Sequence, residues 1–214
     1  MKNGLAEKRF LIWKDNHTWE AIEDPITFPK NKTWKQYIDS RRLEITCGEA
    51  PYLVSHYDAS TGEFIVPTNR RIGQLDRKLR VVNENTTEYD DWIKWSIRAF
   101  ESCYGYEYQG DNLLIARINL LLTFIDYYKE RWENDPDEKL LRQITNKIVW
   151  NIWQMDGLKD TVPHGKPYEE FCQMTIFDML SDTVEEEEKP EVVPCRIYNW
   201  RKGNSVIFKK LKEN

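Results

Sequence analysis

The chain has 214 residues, 40% of them hydrophobic and 13% aromatic, with 31 basic and 36 acidic side chains for a formal net charge of -5. That length supports a domain with a real core, and the acidic balance argues against a general polyanion binder. No apolar run approaches the roughly 20 residues of a membrane span, the first ten residues have no signal-peptide core, and the sequence reads as a soluble, cytoplasmic protein.

Residues 1–40 are rich in Trp and Pro and read as an N-terminal arm, with Thr33 placed to cap a short helix. Residues 43–47 predict a first strand, and residues 57–73, "YDASTGEFIVPTNRRIG", a loop or hairpin. Trp92, Trp95, Ile97, Ala99 and Phe100 recur on a helical period over 88–102, with Thr87 and Asp90 as a cap pair. "CYGYEYQG" has the aromatic content of a short strand. The next stretch, "DNLLIARINLLLTFIDYYKERW", is apolar on nearly every side and predicts a buried helix packed through Leu114, Ile118, Leu121, Ile125 and Tyr128. "DPDEKLLRQITNK" opens another helix with Asp135 as its cap, Pro136 in the first turn and Glu138 three positions after the cap. "IVWNIWQMDG" reads as a third strand ending at Asp156 and Gly157, and residues 161–194 as an acidic surface excursion. "CRIYNW" and "SVIFKK" make a closing hairpin. The organisation is therefore an arm (1–40), a ligand-binding domain (41–160), the excursion (161–194) and the hairpin (195–214).

Strand, helix, strand, helix, helix, strand is the order of one half of a doubly wound α/β sheet. Ligands in such sheets sit beyond the carboxyl ends of parallel strands. Cys47, Gly48 and Glu49 close the first strand, with Glu44 inside it; Glu107 closes the second and Asp156 the third. A glycine there admits close backbone approach, and an acid can accept hydrogen bonds from a diol or an amine. Each acid alone also reads as a solvated strand end, but three at consecutive strand ends favour a ligand site. Arg70, Arg71, Arg77, Lys78 and Arg80 cluster in sequence and can track DNA phosphates, the competing reading being a solvated face. Four scattered cysteines, Cys47, Cys103, Cys172 and Cys195, and three histidines offer no metal-ligand spacing, so no metal is expected and the cysteines read as reduced structural thiols. A nuclease built on Asp135, Glu138 and Lys139, or on Asp91 and Lys94, is disfavoured because both sets lie in helix-like sequence. A hydrolase on Ser55 and His56 is disfavoured because adjacent residues project differently.

"LEITCGEAPYL" resembles the first motif of the adenine-specific DNA methyltransferases of restriction-modification systems, Leu-Glu-Pro-Ala-Cys-Gly-x-Gly-x-Phe-Leu. "YGYEYQGDNLLIARINLLLTFI" is similar to their second motif and "NIWQMDGL" to their third. The resemblance covers roughly residues 34–158. It implies a Rossmann-like methyltransferase fold with a partial parallel sheet and S-adenosylmethionine as cofactor. Glu44, Cys47, Gly48 and Glu49 would lie at its methionine end, Glu107 on its ribose and Asp156 near its adenine. The family's second glycine is Ala50 here, and its proline after the glutamate is Ile45. The catalytic tetrad, Asn or Asp then Pro-Pro then Tyr or Phe, does not occur in the sequence. The expectation is a methyltransferase-like component, from a restriction-modification or mobile-element system, whose catalytic half a second polypeptide supplies. The alternative is a non-catalytic DNA- or protein-binding module on a degenerate methylase fold, a restriction or anti-restriction partner.

Overall fold

The computed structural model describes residues 10–14, 19–58, 60–165 and 192–212. Strand β1 (Leu11–Trp13) pairs antiparallel with β2 (Trp19–Ala21), and α1 (Trp34–Asp39) follows. Thr33 caps α1 as its sequence predicts: its hydroxyl accepts the Gln36 amide while the Gln36 side chain accepts the Thr33 amide. The chain then runs through β3 (Arg42–Glu44), a 3-10 turn (Thr68–Arg70), α2 (Gln74–Asn85), α3 (Tyr89–Glu101), β4 (Cys103–Glu107), α4 (Gly110–Trp132), α5 (Glu138–Asn151) and β5 (Ile152–Gln154). Strands β6 (Arg196–Asn199) and β7 (Asn204–Ile207) form the antiparallel hairpin that the sequence predicts, followed by the short α6 (Lys209–Lys212).

Strands β3, β4 and β5 make one parallel sheet in that order. Side chains alternate across a strand, and the two faces bury different partners. Cys103 and Ile152 enter a large helical core with Leu79, Trp92, Phe124 and Ile144. Tyr104, Tyr106 and Trp153 point the other way and meet Met155, Ile197 and Phe208 under the hairpin. Covering on both faces leaves every residue of β4 buried. Gly105 sits where a Cβ would come 3.2 Å from Cys47 Sγ, so its bareness lets the loop after β3 close over β4.

Several sequence expectations are corrected. The first strand stops at Glu44, because Thr46, Gly48 and Ala50 all have positive φ (47°, 54° and 64°), which no strand accommodates. Helix α2 is not legible from the apolar pattern of its sequence. Its buried face holds Asp76, Lys78 and Arg80 beside Leu75, Leu79 and Val82, and the charges conceal the apolar period. Asp137, rather than Asp135, caps α5, accepting the Leu140 amide at 2.7 Å; Asp135 pairs with Lys129 instead. Glu88 precedes α3 without a side-chain cap, so Thr87 and Asp90 do not play that part. In α4 the core face is Leu113, Ala116, Leu120, Phe124 and Tyr127, while Leu114 and Ile118 of the predicted stripe are 58% and 46% exposed.

Lys78 is wholly buried, and its ammonium donates to the carbonyls of Ile38 and Ser40 and to Ser102 Oγ at 2.5 to 3.0 Å. Burial lowers its pKa to about 8. Lys78→Ala would remove the ammonium's donor from the Ser40 carbonyl and Ser102 Oγ, while the Ile38 carbonyl keeps the Ser102 hydroxyl, and would leave a cavity in the core, so a loss of about 3 kcal/mol in unfolding free energy is expected in urea titrations. Arg70→Ala, at an exposed position, should stay within about 0.5 kcal/mol of the parent. Equal effects of the two would contradict this account of the core.

Candidate functional site at the carboxyl edge of the sheet

The carboxyl ends of β3 and β4 are joined through the turn that follows β3. The Cys47 amide donates to the Tyr106 carbonyl at 2.8 Å, which carries the pairing one step past the end of β3. One residue on, the Gly48 amide donates to Glu107 Oε2 at 2.7 Å. Glu107 Oε1 accepts the amides of Tyr108 and Gln109 at 2.9 and 3.1 Å, immediately before α4 begins. This carboxylate, only 7% exposed, thus holds both the glycine turn and the entry to the long helix. A carboxylate offers about four acceptor positions, and three are engaged here.

Glu44 faces the same loop from the end of β3. Its two oxygens accept the amides of Tyr52 (3.4 Å) and Leu53 (3.0 Å). Burial outweighs these bonds and pushes its carboxyl up to about 7. Cys47 lies between the two acids, and burial together with Glu44 and Glu107 pushes its thiol up to about 12, so it is an inert group at neutral pH. Glu49 accepts a hydrogen bond from the Tyr57 hydroxyl, and its carbonyl accepts from Asn119 Nδ2 at 3.0 Å. Ala50 occupies a left-handed conformation, φ 64°, at a fully buried position.

Asp156 ends differently. Its Oδ1 accepts the amides of Leu158 and Lys159 at 3.0 and 3.2 Å, so it caps a turn within residues 156–160. Glu107 is in register with Gln154 across the sheet, two residues short of Asp156. A cleft of about 740 Å³ opens at this edge, lined by Tyr108, Gln109, Asp111, Gln154, Pro163 and His164 among others. The acids expected from the sequence do not line it. The residues that do, Tyr108 and His164 in edge contact at 5.9 Å, gave no signal of their own; only the position of Tyr108 directly after Glu107 pointed there.

The basic cluster is corrected by its packing. Arg71 is 2% exposed, donating to the Ile65 carbonyl and to Asp126, which His56 also approaches at 3.0 Å. Arg80 donates to the carbonyls of Ile22 and Asp24 and to Glu84. Arg77 lies over the Phe10 ring. With Lys78 internal as well, only Arg70 of the five stands exposed, and the cluster is a set of internal struts rather than a phosphate track. Cys172 and the acidic run 185–188 lie outside the described residues.

Among the described residues, no helix is long and apolar enough to cross a membrane, and no group of His, Cys, Asp and Glu is arranged to hold a metal ion. No family model matches the sequence, and no curated protein or solved structure matches it.

The buried acids generate a pH dependence. Burial raises Asp76 to about 6 and Glu44 to about 7, so each holds its proton more tightly folded than unfolded. Stability should then fall as pH rises from about 4, the unfolded carboxylate range, to about 7. Glu44→Gln is expected to flatten the upper part of that fall, read as denaturant midpoints against pH. An unchanged slope would exclude Glu44 as its source.

Proposed function

We propose that the chain is a DNA adenine methyltransferase-like protein of a restriction-modification or mobile-element system, binding S-adenosylmethionine at the carboxyl edge of the sheet and not methylating DNA alone. The observation that supports this reading is the meeting of the glycine turn with the acid of the next parallel strand, Gly48 N to Glu107 Oε2 at 2.7 Å. These are the two groups that the resemblance assigns to the methionine and ribose ends of the cofactor. The remaining acceptor position on Glu107 can take a ribose hydroxyl while the carboxylate keeps the turn closed.

Amine methylation requires the target nitrogen to be held in line with the methyl group. The sequence contains no Asn/Asp-Pro-Pro-aromatic tetrad to do so. A second polypeptide would supply it, and β3 offers a place as an edge strand whose outer side is unpaired among the described residues. Beside β3, an apolar groove of about 300 Å³ runs between Leu43, Ile45 and the hairpin.

One observation favours the second reading, a non-catalytic DNA- or protein-binding module: Glu44 and Glu107 each have both oxygens engaged by backbone amides. Titration calorimetry with S-adenosylmethionine and with its demethylated product separates the two. Binding is expected, weakened about tenfold in Glu107→Gln, with the fold checked by urea denaturation. Absence of heat with both ligands at about 100 μM protein would overturn the cofactor reading in favour of the module. Transfer of labelled methyl groups to mixed-sequence duplex DNA by the chain alone would overturn the claim that it needs a partner.

A further inference from the structure

Helix α4 is apolar on two sides, and the fold uses one. Leu113, Ala116, Leu120, Phe124 and Tyr127 fill the core. The opposite side carries Ile115, Ile118 and Leu122, which are 37%, 46% and 38% exposed, with Leu114 beside them at 58% and Ile125 half-buried. Single exposed apolar residues are ordinary on a protein surface, whereas a continuous stripe calls for a partner.

The stripe has a period and a symmetry. Asp111, Ile115, Ile118, Leu122, Ile125 and Lys129 succeed one another at spacings of four, three, four, three and four, which is the seam of a heptad repeat. The seam spans about 27 Å of helix. It is also a palindrome in chemistry about the level of Leu120. Turned end for end against a copy of itself, it sets Ile115 on Ile125, Ile118 on Leu122, and the acidic Asp111 on the basic Lys129 at both ends. A parallel arrangement would instead oppose like charges at each end, which is destabilising. Lys129 pairs within its own chain with Asp135, but both side chains are more than half exposed, and such a pair has little hold on either partner.

We propose that α4 is a self-association face on which a second copy of this chain docks antiparallel, related by a two-fold axis at the level of Leu120. Self-complementarity is what an isologous interface requires: the same patch on both subunits, with each residue meeting its counterpart across the axis. The four apolar seam residues supply the buried surface, and the charged ends fix the direction. The proposal does not depend on cofactor binding, since the four apolar seam residues line no part of the cleft at the sheet edge and only the seam's end residue, Asp111, reaches it.

Sedimentation velocity on the full chain, from about 1 to about 100 μM at low salt, is expected to give a reversible dimer with Kd in the micromolar range. Ile118→Asp, at an exposed position, should weaken it at least about tenfold while leaving circular dichroism and urea stability in place. Asp111→Lys and Lys129→Asp should each weaken it alone by opposing like charges. An equimolar mixture of those two variants should dimerise again, because each all-basic seam then faces an all-acidic one. A chain that stays monomeric throughout, whether bare or covered by another of its own segments, overturns the proposal. So does a dimer indifferent to Ile118→Asp, or a mixture that associates no better than its separate components.

Discussion

The buried ammonium of Lys78 sets the level at which the parallel sheet begins. Ammonium burial is tolerable only when its donors are all used, and the three acceptors that use them lie on the last turn of α1, just before β3, and on Ser102, just before β4. The Arg42 amide donates to the Ser102 carbonyl at 2.8 Å, so the two strands start side by side, Arg42 opposite Cys103. With their amino ends fixed, their carboxyl ends are fixed as well, and Gly48 reaches Glu107 because of where Arg42 was placed. Arg71 and Arg80 do comparable work further out, tying loop carbonyls to Asp126 and Glu84. The helical side of the molecule is organised as much by inward-pointing cations as by apolar packing.

That inversion explains which elements were legible in the sequence. Strand β4, helix α3 and the closing hairpin follow ordinary patterning, with apolar or aromatic residues facing inward, and each stands where its sequence predicts. Helix α2 breaks the rule, since Asp76, Lys78 and Arg80 are buried on it. The same charges read in the sequence as a DNA-binding face, and by interrupting the period of Leu75, Leu79 and Val82 they conceal a core helix. In α4 the difficulty was the reverse. A helix apolar all round reads as fully enclosed, and nothing in its composition says which side the domain itself covers.

At the candidate site, spacing placed Gly48 and Glu107 at neighbouring strand ends, and they stand within a hydrogen bond of each other. Residue type and position carried that much. How the acids are occupied was not legible, because backbone amides leave no trace in the side-chain pattern. Glu44 and Glu107 bind loop amides, and Asp156 folds back on its own turn rather than reaching toward its neighbours. The cleft at this edge is built by residues beyond the strand ends, Tyr108 and the 162–164 segment, whose placement depends on how the chain turns after β5.

The three described cysteines are all free and buried, and each marks a different joint: Cys47 the turn after β3, Cys103 the root of β4, Cys195 the root of the hairpin. Burial is the chief cause that raises all three thiols, Cys47 to about 12 and Cys195 to about 11. A thiol in that condition reacts with an alkylating agent only when its surroundings open and the thiolate can form in water. The chain therefore carries built-in reporters of local opening at its two strand joints and its hairpin, each with its own clock. Their labelling rates, resolved by peptide mass, would rank the turn, the sheet and the hairpin by how often each comes apart while the rest of the molecule stays folded.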